Sequence, residues 1–529
     1  MHSPETNSST TGPRNILEAA PRFGSTKLAP VIIRAALMLA AISALVLIAA
    51  LPAQAQSGPF GVVSPATLNF RGALGQTSAP QLVSLKNTGG SELTISNISI
   101  SGDFAIATNH CANGVKPGTH CNVYVTFTPS GLGKETGTLA FVDNASNSPQ
   151  IVSLTGTIGE IVLYNFTGGS DGGWPGAGLV SDGAGNFYGM TYPVTTGYGT
   201  VFEVSPNGSG GWNETVIYNF TCGSDGGGPT YNSLLFASGN LYGTTQGCGA
   251  NGWGVVFELS PVGTSWTETV LYGFGGIQTD GGGPLSGLIK DAAGNLFGTT
   301  VNGGTAGCGT VFELSPSGGG WTERVIYNVE SWTAGALYAG LTMDAAGNIF
   351  GATSLTAFEL SPNGDGGWNP TVLHTFQGSP KDGSYATGTP VLDKAGNLYG
   401  TTRTGGAYGV GTAWKLRPVK NGKWSETILH SFGNRGDGVE PWAGIVLDAA
   451  GNIYGTTTGG GLYGGGTVYE LVAPAAGKKG YVEKALWNFN GTDGATPYGA
   501  VVLDSAGNLY GTTQGGGSYG NGVVFEVIP

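Results

Sequence analysis

The sequence predicts an all-β protein: an immunoglobulin-like β-sandwich followed by a seven-bladed β-propeller. Three observations carry this. The 529 residues include 98 glycines, yet only 10% are charged and 10% are aromatic. A disordered chain would be poor in aromatics and rich in charge, and collagen would need glycine at every third position. Glycine-rich turns separating short β-branched and aromatic runs mark an all-β chain. Finally, the motif Gly-Asn-[Phe/Leu/Ile]-[Tyr/Phe]-Gly recurs with its Asn at Asn186, Asn240, Asn295, Asn348, Asn397, Asn452 and Asn508, spaced by 49 to 56 residues. An all-β period near fifty marks a propeller.

Residues 1–55 read as an export signal with a polar leader. A basic segment ending in Arg34 precedes the apolar run Ala35–Ala50, and Ala53-Gln54-Ala55 fits a small-x-small cleavage site. The run is shorter than the roughly 20 residues a spanning helix needs, although an uncleaved anchor is the alternative. The expected location is extracellular, cell-surface or periplasmic, with no membrane span after cleavage. The net charge of −12 and the lack of a basic patch argue against nucleic-acid binding. A monomer is expected.

Residues 59–158 contain seven alternating runs in about 100 residues, as in an immunoglobulin-type sandwich. Cys111 and Cys121 flank a Lys-Pro-Gly turn there. An exported protein can keep a disulfide between them, two unpaired buried thiols being the alternative. The pieces VSPATLNF, LKNTGGSELTISNISISGDF and CNVYVTFTPSGLG resemble the ASH/Hydin-type (choice-of-anchor D) domain. That resemblance implies a spacer or adhesion module without catalysis.

From residue 160 to 529 each repeat of about 54 residues holds four strand-like runs, A to D from the axis outward. In the third copy these are 287–291, 295–300, 309–316 and 321–329. A D-type run at 160–166 precedes the first A run, and the chain ends on a C-type run at 522–529. Pairing the two would close the ring and remove two exposed edges. The pieces LYNFTGGSDGG, GLVSDGAGNFYG, GTVFELSP and GGWTE resemble the GloVer (Gloeo/Verruco-type) tandem-repeat family of secreted bacterial proteins. The resemblance implies a secreted or surface propeller with no assigned activity.

The recurrent Asp-x-x-Gly-Asn joins strands A and B. Each copy offers one carboxylate, too few oxygens for a calcium loop, so it reads as a hairpin turn. The opposite face carries the B–C and D–A connections. D–A segments supply Asp171, Asp225, Asp280, Asp382, Asp437 and Asp493, and B–C loops supply Tyr198, Trp253, Tyr408, Tyr463 and Tyr519. Alternating carboxylates and aromatic rings suit carbohydrate, because rings stack on sugar faces and carboxylates accept hydroxyl hydrogen bonds. Asp-Gly turns and blade packing are the plainer explanation of the same residues. The fourth repeat lacks a long B–C loop and a D–A Asp, which opens a notch flanked by Trp332 and Tyr338.

No cofactor is expected; calcium held by several Asp loops is the alternative. His374 and His430 occupy a position that is Tyr in four other repeats and Trp487 in another, and no nucleophile elbow, metalloprotease motif or phosphate loop occurs. No catalytic or metal-ligating residue is therefore assigned. Cys222 and Cys248 lie on one face and are expected to pair, leaving Cys308 over. The functional expectation is an exported, non-catalytic binding or adhesion protein recognising polysaccharide or an envelope component. A glycan-cleaving propeller enzyme and a structural envelope protein are the alternatives.

Overall fold

Why each repeat becomes four strands is visible in one copy of its motif. The computed structural model describes residues 57–529 apart from 72–76, 131–132, 195–196, 209–210, 230, 232, 332–334, 435, 476–477 and 479. The export-signal expectation over 1–55 lies outside the described residues, as does Trp332. No helix among the described residues is long and apolar enough to cross a membrane.

In the Asn295 copy, strand A is Ile289–Lys290, B is Leu296–Thr299, C is Thr310–Ser317 and D is Gly320–Asn328, hydrogen-bonded in that order. Asp291 makes the A–B turn. Its Oδ1 accepts from the Asn295 backbone amide at 2.8 Å, and its Oδ2 from the Asn295 side chain at 2.8 Å. Asp344, Asp393, Asp448 and Asp504 repeat both bonds. The motif's last glycine has a packing reason. A Cβ on Gly298 would lie 2.5 Å from the Phe312 ring, which fills that space from strand C.

Seven such four-stranded antiparallel sheets occur among the described residues. The last takes its D strand from the start of the repeat region: Glu160–Asn165 pairs antiparallel with Val523–Val527. All seven C–D pairs share a bulge at the same place, Val201/Phe202 in the first sheet and Val524/Phe525 in the last. A bulge re-aims the residues beside it, here the D-strand side chain two positions before the D–A segment.

Apolar clusters lie between successive sheets. Tyr188, Met190 and Val201 of the first pack with Leu241 and Phe257 of the second. Phe187, Phe202 and Val204 of the first pack with Tyr510 and Val524 of the last. Strand B adds a polar link, in which a Thr near its end donates to a carbonyl entering the next sheet. Thr299 bonds Ala339 O at 3.2 Å, Thr401 bonds Ala443 O at 2.8 Å and Thr456 bonds Gly499 O at 3.0 Å.

The N-terminal domain comprises two four-stranded sheets, β1-β3-β6-β5 and β2-β8-β7-β4. The strands are β1 (Gly61–Ser64), β2 (Thr67–Arg71), β3 (Gln81–Asn87), β4 (Ile95–Ile100), β5 (Phe104–Asn109), β6 (His120–Phe127), β7 (Gly133–Asp143) and β8 (Gln150–Ile158). The sequence runs number seven; the eighth strand is β1, too short to show an alternation. Inward residues such as Val83, Leu85, Val123, Val125, Phe127 and Phe141 form one core between the sheets. Cys111 and Cys121 are disulfide-bonded with Cα atoms 5.1 Å apart.

Candidate functional site

The B–C and D–A connections lie together because they are hydrogen-bonded to each other. Gly281 and Gly282 of one D–A segment pair antiparallel with Gly303 and Asn302 of the B–C loop that follows. Gly383–Gly405 and Gly438–Gly460 repeat the arrangement. Gly303 has φ +80°, and a Cβ there would meet Asp280 O at 2.2 Å. The glycine-rich character of the loops thus buys close backbone pairing.

The six D–A carboxylates turn inward, toward their own turns. Asp171, Asp225, Asp280, Asp382 and Asp437 are buried and Asp493 is half-buried. Asp171 Oδ2 accepts from Thr167 N at 2.7 Å and from the Tyr164 hydroxyl at 3.0 Å. Asp225 does the same with Thr221 N and Tyr218, and Asp437 binds Gly433 N, Gly438 N and His430 Nε2. Asp493 receives the Trp487 indole N–H at 3.2 Å. The carboxylates expected to meet sugar hydroxyls therefore hold their own turns. His374 and His430 take the place of the tyrosines as partners of Asp382 and Asp437.

Each of these aspartates also faces a glutamate from the D strand of the next sheet. The pairs are Asp171 with Glu214, Asp225 with Glu268, Asp280 with Glu323, Asp382 with Glu426, Asp437 with Glu483, and Asp493 with Glu160. Burial first, and the facing aspartate second, push Glu214, Glu268, Glu323 and Glu483 up to about 7. The same causes take Glu426 to about 8 and Glu160 to about 9. Burial works against ionised Asp171 as well, but its bonds from Thr167 and Tyr164 win and hold it low. Between the third and fourth sheets both partners are missing. The D–A segment there has no Asp, and Pro370 stands where the other D strands have Glu. Sequence reasoning missed this register; the joint loss of Asp and Glu at one seam was its visible sign.

What the face presents to solvent is aromatic. Tyr198, Trp253, Tyr408, Tyr463 and Tyr519 are 42–66% exposed. Tyr198 and Trp253, from successive loops, line one cleft of about 410 Å³ with Tyr192 and Gln246. Trp253 also walls a second cleft, of about 430 Å³, with Ile277 and Gln278. Cys222 and Cys248, Cα atoms 5.0 Å apart, are bonded at the base of this region, while Cys308 is free and buried.

A third cavity, of about 290 Å³, is lined by residues entering successive sheets, among them Tyr231, Leu285, Tyr338, Trp442 and Tyr498. Tyr231, Trp442 and Tyr498 are in mutual ring contact, with centroids 5.1–5.7 Å apart. Arg403 lies over Trp442 at 4.8 Å and is bonded to Glu440. Of this group the sequence analysis had singled out only Tyr338. Tyr231, Trp442 and Tyr498 each follow a proline by one or two residues, in PTY, EPW and TPY, a signal open to alignment of the repeats. The expected notch is a tight hairpin in which Thr353 N bonds Thr356 O at 2.8 Å.

Fold and face together define a repeat-built, all-β propeller protein with an N-terminal sandwich. The chain belongs to the Gloeobacter/Verrucomicrobia repeat family, which it matches over residues 122–356 and 354–529. Residues 59–151 match the ASH (ASPM-SPD-2-Hydin) domain family. No curated protein matches the chain. Among solved structures it is similar to a streptogramin B lyase and to virginiamycin B lyase from Staphylococcus aureus. Each is 14% identical with a TM-score of 0.43, over 70% of this chain and 97% and 98% of theirs. A quinonprotein alcohol dehydrogenase-like protein from Bacteroides thetaiotaomicron is 10% identical, TM-score 0.39, over 81% of this chain and 97% of its own.

Proposed function

We propose that the protein is an exported, non-catalytic binding protein recognising polysaccharide through the face of B–C and D–A connections. Its repeats form a seven-bladed propeller, closed where Glu160–Asn165 pairs with Val523–Val527. The observation that carries the proposal is the placement of Trp253, exposed between two clefts and one loop away from Tyr198. Aromatic rings at successive loops of a rigid ring give successive sugar units flat surfaces to stack on. Gln246, Gln278 and Asn302 line the same clefts and can exchange hydrogen bonds with hydroxyls.

Binding without cleavage is favoured over hydrolysis. Among the described residues, no acidic side chain lines either cleft, and the D–A carboxylates are held in their turns. A glycosidase needs two carboxyl groups flanking the bond it breaks. The test is a glycan array probed with the full-length protein, with the wash analysed for released sugars. Retention without product supports the proposal, released oligosaccharide supports an enzyme, and neither supports a structural role.

A further inference from the structure

The seam between the fourth and fifth sheets places an imidazole against two carboxylates. His374 Nε2 lies 3.1 Å from Asp382 Oδ2 and 3.5 Å from Glu426 Oε1. All three donor atoms fall within 4.8 Å of one another, and no other group of three His, Cys, Asp or Glu residues among the described residues meets that condition. The next seam repeats the residue types with His430, Asp437 and Glu483, but only its His–Asp pair closes, at 2.8 Å.

The His374–Glu426 distance is one a tetrahedral ion asks of its ligands, and the His374–Asp382 distance is a few tenths of an ångström shorter. With bonds of about 2.0–2.2 Å, neighbouring donors stand roughly 3.3–3.6 Å apart. Asp382 is fixed for the purpose: Gln377 N donates to Oδ2 and Gly383 N to Oδ1, both at 2.6 Å. Such second contacts orient a ligand before the ion arrives. Glu426 Oε1 is buried and accepts no hydrogen bond. The His374 side chain is 21% exposed, so the imidazole reaches solvent on one side. One nitrogen and two carboxylate oxygens are too few for calcium, which takes six to eight oxygens, and they suit zinc.

We infer that His374 Nε2, Asp382 Oδ2 and Glu426 Oε1 bind one zinc ion at this seam, with water as the fourth ligand. The ion joins the outer strands of two sheets and replaces the proton that two facing carboxylates would otherwise share. It lies apart from the aromatic clefts, so the inference stands independently of the polysaccharide proposal.

The full-length protein, stripped with chelator, is reloaded with zinc chloride, desalted and its metal counted by mass spectrometry. Cobalt(II) absorption serves as a second readout. The wild type is expected to retain one zinc per chain. H374Y installs the residue that four other D strands carry at this position, Tyr164, Tyr218, Tyr272 and Tyr327. It should fold and lose the ion. E426Q should weaken binding about tenfold or more, and H430Y should leave it unchanged. A wild type that retains no zinc, or an ion that survives in both H374Y and E426Q, overturns the inference. Should H374Y fail to fold, E426Q decides alone.

Discussion

Thr512 donates its hydroxyl to the backbone carbonyl of Ala177 at 2.7 Å, across a sequence separation of 335 residues. It is the same bond that Thr401 and Thr456 make to the sheets following theirs. The last sheet therefore treats the first as its successor. Replacing Thr512 by Val removes a buried hydrogen bond and leaves the Ala177 carbonyl short of a donor. The expected cost is about 1–3 kcal/mol. Thermal unfolding should show a lower midpoint for T512V, and a far lower one when residues 160–165 are deleted, because that deletion bares the edge of Val523–Val527. Equal midpoints for the deletion and the wild type would refute closure.

The seam glutamates give stability a pH dependence of definite sign. Glu214 faces Asp171 and Tyr164, and its folded value is raised from 4.5 to about 7. Between those values the folded state keeps a proton that the unfolded state has lost, so stability falls as pH rises through that window. Glu160, facing Asp493 and raised to about 9, extends the decline to higher pH. Denaturant unfolding at pH 5, 7 and 9 should show a steady loss. E214Q should shrink the loss between pH 5 and 7, and E160Q the loss above it. A rise in stability over the same range would contradict the assignment.

Reduction should act on stability at two separate places. Cys111–Cys121 and Cys222–Cys248 close loops of 10 and 26 residues. Chain-entropy arguments give about 3 kcal/mol for loops of this order. Two disulfides should be found by mass spectrometry, with a lower unfolding midpoint in dithiothreitol. Cys308 is fully buried and burial raises its thiol pKa. It should resist alkylation in the native protein and react on unfolding; ready labelling in the native state would be the contrary result.

Turn and face should separate by mutation. Asp393 holds Asn397 through both of its carboxylate oxygens and also accepts from the Tyr399 hydroxyl. D393A should lower the unfolding midpoint and leave ligand retention intact. Loss of binding without loss of stability in D393A would move the site to the opposite face.

The repeat was legible because its signals are local. An Asp that caps its own turn, a Gly beneath a Phe and an alternating strand can each be read within a dozen residues. Even the long-range pairing of Glu160–Asn165 with Val523–Val527 could be read, because counting strand types leaves a D strand spare at the start and one missing at the end. What the sequence hid was direction. Asp171 and Tyr198 belong to neighbouring loops of one face, yet the first is buried in its turn and the second is exposed. Asp-Gly looks the same whether its carboxylate points in or out. The pairing of Asp382 with Glu426 depends on which sheet lies beside which, and it emerges only once neighbouring sheets are set side by side.

The most direct test of the proposed function removes the rings and asks whether the polymer is released. The full-length wild type and a W253A/Y198A double variant are run on native gels containing the polysaccharide that the array selects. Both side chains are 42–46% exposed, so the variant should keep its unfolding midpoint. Retardation of the wild type, with loss of that retardation in the variant at unchanged stability, is the predicted result. Equal retardation of both proteins would contradict the account.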